Sequence, residues 1–174
     1  MFEQGTNGTL TCNNQGGPNN TIIWVVDKDR LPISNSHQIS VLVNVSSGGN
    51  YTCTVSNAAG SETDSTMLYV HPVITQNPDQ FVDAINGSIT DISCDAESFP
   101  EPMYQWVRPD GLLVRNEVTD EYRTNVLGFD PVLFGDEGAY ICRAFITING
   151  TTIDVNSTAA VLTSKSVIIH SHNV

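Results

Sequence analysis

The seven residues Asp136-Glu137-Gly138-Ala139-Tyr140-Ile141-Cys142, spaced D-x-G-x-Y-x-C, decide the fold. Side chains on an extended strand alternate between its faces, so Tyr140 and Cys142 share one face. With that face buried, Cys142 can bridge to a second sheet. The Tyr140 hydroxyl can then bond backbone at the corner leading into the strand. Gly138 permits the tight turn, and Asp136 can accept bonds from turn amides or a nearby arginine. Upstream, Leu127, Phe129 and Val132 supply an apolar strand leading into the corner. Farther back stand Cys94 and Trp106. The same set recurs earlier as Cys12, Trp24, Tyr51 and Cys53.

This repeated set resembles the immunoglobulin superfamily. The run Cys94-Asp95-Ala96-Glu97-Ser98-Phe99-Pro100-Glu101-Pro102 is also close to the C-x-A-x-G-x-P-x-P pattern of its intermediate set, with Ser98 where glycine is usual. The resemblance covers nearly the whole chain. It implies an all-β fold of two tandem antiparallel Ig-like β-sandwiches, with Trp24, Tyr51, Trp106 and Tyr140 in the cores and each indole packed on a disulfide. Four cysteines allow three pairings. On this resemblance the repeat implies Cys12–Cys53 and Cys94–Cys142. Each bridge closes a loop of roughly 40–50 residues, a constraint of about 4 kcal/mol in the chain-entropy picture. Metal binding is the competing use of four cysteines, and no C-x-x-C pair supports it.

The bulk properties agree with a secreted, loop-rich chain. Charged residues are 15% of 174, and Ser, Thr, Asn and Gly fill the gap. No apolar run is long enough to span a bilayer, so membrane attachment is expected only through a segment outside these residues. Met1-Phe2-Glu3-Gln4 has neither a basic nor an apolar leader region, so no signal peptide is expected here. Net charge is −12 and the seven Lys and Arg residues are scattered. A nucleic acid or heparin-like polyanion would need a clustered basic stripe, so neither is expected as a partner. Acceptor sites for N-glycans begin at Asn7, Asn19, Asn44, Asn50, Asn86, Asn149 and Asn156. Roughly three would arise by chance from this composition. The excess points to an extracellular or cell-surface location.

Along the chain, the first sandwich is expected over residues 1–71, with strands at Gly8–Cys12, Thr21–Val26, Ser40–Val45, Asn50–Asn57 and Ser65–Val70. Turns fall over Asn13–Asn20 and Asp27–Arg30, and Leu31-Pro32 resumes an edge segment. Ser47 stands where the second corner has Asp136, which leaves the acidic corner in doubt there. The short lead before Cys12 predicts a missing or truncated first strand. The second sandwich is expected over 72–164, with a strand at Gly87–Cys94, a tight turn at Pro109-Asp110-Gly111 and a hairpin at Asn149-Gly150. Residues 165–174 are expected as a tail or linker.

Function should lie on outward faces and loops, because the inward residues are used by the cores. Alternation places Ile23, Val25, Met67 and Tyr69 outward in the first sandwich. It places Met103, Val107, Ile141 and Phe145 outward in the second. An apolar patch of this kind marks a partner surface, and members of the superfamily bind through this same face. A glycan at Asn50 would crowd it. The carboxylates Asp91, Asp95, Glu97, Asp110, Glu117, Asp120 and Glu121 lack a calcium-loop pattern and read as solvated surface. His37 and His71 are lone, and His170 and His172 stand in the tail. No nucleophile, metalloprotease or phosphate-loop motif is present, so neither an enzyme nor a cofactor is expected. The resemblance implies a recognition module of an adhesion protein or receptor ectodomain, the receptor tyrosine kinase type included, with a protein ligand or cell-surface partner. Homophilic pairing is left open. A spacer pair in a secreted or matrix protein is the alternative.

Overall fold

The computed structural model describes residues 2–13, 19–27, 32–114 and 124–166. Residues 14–18 and 28–31, where the sequence reading expects turns and the start of an edge segment, lie outside them, as do Glu117, Asp120, Glu121, His170 and His172. Two compact units form. One is Met1–His71 with Ser98–Glu101, and the other is Pro72–Glu97 with Pro102–Val174. Among the described residues every regular element is a strand, apart from the 3-10 turns Val45–Ser47 and Phe134–Asp136.

In the first unit, β1 (Asn7–Thr11) pairs antiparallel with β4 (Gln38–Leu42) as one layer. The second layer runs β3 (Pro32–Ser34), β2 (Thr21–Val26), β5 (Gly49–Asn57), β6 (Gly60–Leu68). Strand alternation turns Leu10, Ile39, Trp24, Val26, Tyr51, Cys53 and Leu68 between the layers, where all are buried. Burying a large apolar side chain contributes about 1.5–3 kcal/mol, so this row supplies most of what holds the layers together.

The second unit repeats the plan with more strands. β9 (Thr90–Ser93) pairs with β13 (Val126–Phe129), while β7 (Val70–Gln76) and β10 (Asp95–Phe99) each carry residues of both units. The larger sheet runs β12 (Leu113–Val114), β11 (Met103–Val107), β14 (Gly138–Ile148), β16 (Ala160–Lys165), β8 (Phe81–Ile85), with β15 (Thr151–Asn156) also on β14. β8 runs parallel to β16 while its neighbours are antiparallel. Asn149 and Gly150 take φ of 50° and 80° in the two-residue β14–β15 loop, the geometry that Asn-Gly favours.

Both disulfides are formed, Cys12–Cys53 with Cα atoms 6.1 Å apart and Cys94–Cys142 at 6.5 Å. Trp24 and Trp106 are buried in the two cores, and each satisfies its indole N–H on backbone: Trp24 on Ser36 O at 2.9 Å, Trp106 on Thr124 O at 3.1 Å. Without those acceptors a buried donor would cost about 1–3 kcal/mol.

The two corners are built differently. In the second unit the Tyr140 hydroxyl donates to Asp136 O, and the Asp136 carboxylate accepts from Leu133 N–H at 2.7 Å. Arg108, rather than capping the Asp136 side chain, donates to Glu137 O at 3.1 Å and to the Tyr140 hydroxyl at 2.8 Å. Gly138 has φ +130°, and a Cβ there would lie 2.6 Å from Arg108 Nη1, so the corner needs glycine. In the first unit the Tyr51 hydroxyl donates to Ser47 O at 2.8 Å. The acid is replaced by a capping pair. Asn44 Oδ1 accepts from Ser47 N–H at 2.9 Å, and Ser47 Oγ accepts from Asn44 N–H at 3.0 Å.

Several boundaries differ from the sequence reading. The strand expected at Ser40–Val45 is Gln38–Leu42, because the capping pair takes Asn44 to Ser47 into a turn. The strand expected at Ser65–Val70 begins at Gly60, since β6 pairs with β5 along its full length, and Val70 opens β7. The strand expected at Gly87–Cys94 narrows to Thr90–Ser93, with Gly87 in a turn at φ +88°. Lys165, expected in the tail, ends β16, opposite Ile85.

Candidate recognition faces

The outer face of each larger sheet is what the cores leave available. In the first unit, alternation on β2, β5 and β6 sets Ile23 beside Thr54 and Thr63, Val25 beside Thr52 and Ser65, and Asn50 beside Met67. Ile23 and Val25 share one strand and are half-buried, while Met67 is 42% exposed two strands away. Between them lies a polar column in which Thr52 Oγ1 and Ser65 Oγ are 2.9 Å apart and hydrogen-bonded. Tyr69 falls past the end of β6, and its carbonyl accepts from Phe2 N–H at 3.2 Å. The structure therefore does not gather Ile23, Val25, Met67 and Tyr69 into one patch.

The second unit does gather its residues. Met103 lies opposite Phe145, Gln105 opposite Arg143, and Val107 opposite Ile141. Val107 continues to Leu113 on β12, which is 45% exposed. Ala139 pairs with Val161 on β16, and Val161 pairs with Phe81 on β8, itself 70% exposed. Leu113, Val161 and Phe81 were missed in the sequence. The local signal for Phe81 was only its place in an alternating run, and its neighbour Val161 is far off in the chain.

Phe145, expected outward and accessible, is buried at 7%. Ala144, Phe145 and Ile146 are buried in succession, so β14 is covered on both faces at this point and simple alternation fails. The Arg143 guanidinium sits 5.8 Å from the Phe145 ring centroid. It also binds Asp154 at 2.9 Å across the β14–β15 hairpin, a surface pair of the kind worth about 0–1 kcal/mol.

At the far edge of this face, Lys165 Nζ lies 2.6 Å from Asp83, and Thr163 also donates to that carboxylate. These contacts, the Lys165 hydrogen bond first, hold Asp83 below its usual pKa. Glu137 is lowered by the backbone N–H and hydroxyl of Ser164, at 2.9 and 2.8 Å. Both acids are exposed. No group of three or more metal-ligating side chains occurs among the described residues. No helix among them is long and apolar enough to cross a membrane.

Of the glycan acceptor sites, Asn7, Asn19, Asn44, Asn86, Asn149 and Asn156 are exposed and Asn50 is half-buried. Two of them lie on the outer faces of the larger sheets. Asn50 stands opposite Met67 in the first unit, and Asn156 stands opposite Arg143 at the β15 edge in the second.

Paired sheets with a disulfide, a buried indole and a tyrosine corner in each unit define the class: the chain belongs to the immunoglobulin superfamily, and immunoglobulin-domain profiles match it over residues 2–70 and 71–145. Its relatives include hemicentin-1 of Mus musculus, 30% identical over 78% of this chain and 3% of that protein. They also include the cell adhesion molecule DSCAM of Homo sapiens, 30% identical over 79% of this chain and 8% of that protein. The chain thus spans only 3% and 8% of the length of these two relatives. Among solved structures, the N-terminal four Ig domains of Dscam1 isoform 4.44 superpose with a TM-score of 0.68 at 19% identity, over 94% of this chain and 42% of that one. The titin I-band fragment I67–I69 superposes with a TM-score of 0.51 at 21% identity, over 94% of this chain and 62% of that one. At these identities the superpositions establish the fold alone.

Proposed function

We propose that this chain is an extracellular protein–protein recognition module of an adhesion protein, binding through the outer face of β12, β11, β14, β16 and β8. One observation carries the reading. Leu113, Val107, Ile141, Val161 and Phe81 line that face as an apolar row with no polar core function, whereas threonine, serine and asparagine interrupt the matching face of the first unit. Recognition of this kind needs shape complementarity around a few apolar anchors and no chemistry. The relative named as a cell adhesion molecule favours adhesion over a receptor tyrosine kinase ectodomain. Two disulfides and seven acceptor sites support an oxidising, extracellular setting. A glycan at Asn50 would crowd the first unit's face, and one at Asn156 would crowd the β15 edge of the second unit's face.

The test is binding of the secreted chain to cells and to itself, by bead aggregation and by light scattering across concentration. Phe81→Asp and Val107→Asp are expected to weaken the interaction at least about tenfold while leaving thermal stability of the fold in place. Like charge opposes self-association, but screening over about 8 Å in physiological salt leaves homophilic pairing open to the measurement. Binding that is indifferent to both substitutions removes this face from consideration. Absence of any binding favours the spacer alternative.

A further inference from the structure

The first unit has an open flank that the proposed recognition face does not use. A groove of about 700 Å³ runs beside the Cys12–Cys53 bridge, with Trp24, Tyr51 and Val55 at its base and β6 along one wall. β6 is an edge strand: it pairs with β5 on one side, and among the described residues no strand pairs with its other side. All of Gly60 to Met67 is exposed. An unpaired edge of this length is a template for another strand, and proteins guard such edges with charge, inward-pointing side chains included, which turns away any strand that cannot neutralise it.

The charges here point into the groove rather than away from it. Asp64 lies opposite Cys53 and Glu62 opposite Val55, so both carboxylates are on the inward face of β6 and line the cavity. In the second unit the matching strand, which likewise pairs on one side only among the described residues, carries different residues on that face. There the corresponding strand β15 sets Val155 opposite Ala144 and Ile153 opposite Ile146, apolar and half-buried. Asp64 Oδ1 accepts from Ser65 N–H at 2.9 Å. Among the described residues neither acid has a cationic partner, and both ion pairs found there, Arg143–Asp154 and Lys165–Asp83, are in the second unit.

We propose that this groove receives an extended segment of a second, basic polypeptide, which hydrogen-bonds the free edge of β6 and places lysine or arginine side chains against Glu62 and Asp64. The charge chooses the occupant. Two copies pairing edge to edge through β6 would bring acidic strands together, in a chain of net charge −12. An uncharged strand would bury the carboxylates unpaired, which costs more than it gains. A strand with cations two residues apart has both on the face that meets the acids. Main-chain pairing then supplies affinity and the inward acids supply selection.

This proposal is independent of the outer-face reading, because Phe81→Asp and Val107→Asp leave the groove intact. The test uses the whole chain and two synthetic nine-residue peptides of alternating Thr and Val, matched to the nine residues of β6. One carries lysine at two alternate central positions and its twin carries glutamate there. Fluorescence anisotropy is expected to show the lysine peptide binding about three- to tenfold tighter, as two partly exposed ion pairs allow. The preference is expected to shrink as salt rises. Glu62→Gln with Asp64→Asn should abolish it while the peptides retain whatever edge pairing remains. Amide exchange should slow along Gly60–Leu68 when the lysine peptide is added. No binding of the lysine peptide at millimolar concentration overturns the proposal. So does equal affinity for the twin, or a preference untouched by the double substitution.

Discussion

Replacing Tyr140 with phenylalanine isolates one hydroxyl in the second corner. The ring keeps its edge-on contact with Phe129, with centroids 5.4 Å apart, and keeps the Arg108 guanidinium 4.1 Å above it. What is lost is the donation to Asp136 O and the bond accepted from Arg108 Nη2 at 2.8 Å. Tyr140 is only 1% exposed, so water cannot readily replace the hydroxyl. A neutral bond contributes about 1 kcal/mol and a bond to a charged group about 1.5–3 kcal/mol. Arg108 is half-buried and recovers part of its loss in solvent. The expected cost is about 2–3 kcal/mol, confined to the second unit. For a domain of this size that lowers the melting temperature by roughly 10–20 °C. Scanning calorimetry of Tyr140→Phe, Arg108→Met and the double variant measures both the loss and the coupling, expected at about 1–2 kcal/mol. A fall of less than about 3 °C would show that the corner is held by ring packing and not by its hydrogen bonds, and strictly additive losses would remove the Arg108–Tyr140 bond from the account.

The first corner separates capping from glycosylation. Asn44→Ala is expected to destabilise the first unit by about 0.5–2 kcal/mol, whereas Asn44→Asp removes the acceptor site but keeps an oxygen for Ser47 N–H and should retain most of the stability; equal melting temperatures for the two would discount the cap. Asp83 and Glu137 both have folded pKa values below their ordinary 3.8 and 4.5. Their contribution is therefore complete above those ordinary values and is lost as pH falls through the lower folded ones. Thermal stability of the second unit should decline on acidification below about pH 4.5, less steeply in Glu137→Gln and Asp83→Asn, and an unchanged slope in those variants would contradict the Ser164 and Lys165 contacts as the cause.

The sequence by itself determined the repeated cysteine, tryptophan and tyrosine set, the Asn149-Gly150 hairpin and the inward rows of both sandwiches. These are legible because strand alternation and turn chemistry are local: a residue's face follows from its immediate neighbours. The capping pair of Asn44 and Ser47 was hidden in plain view, since nothing in the residue types says that an amide and a hydroxyl will stand in for a carboxylate at a corner. Tertiary structure alone decided which strands lie side by side and what covers them. It brought Val161 beside Phe81 through a parallel pairing about 80 residues apart in sequence, and so made a row out of scattered apolar residues. It buried Phe145 against expectation, and it left the acids Glu62 and Asp64 facing an open groove. Alternation fixes the side of the sheet on which a side chain emerges. Whether solvent, another strand or a partner meets it there depends on contacts between distant segments, which the local pattern does not encode.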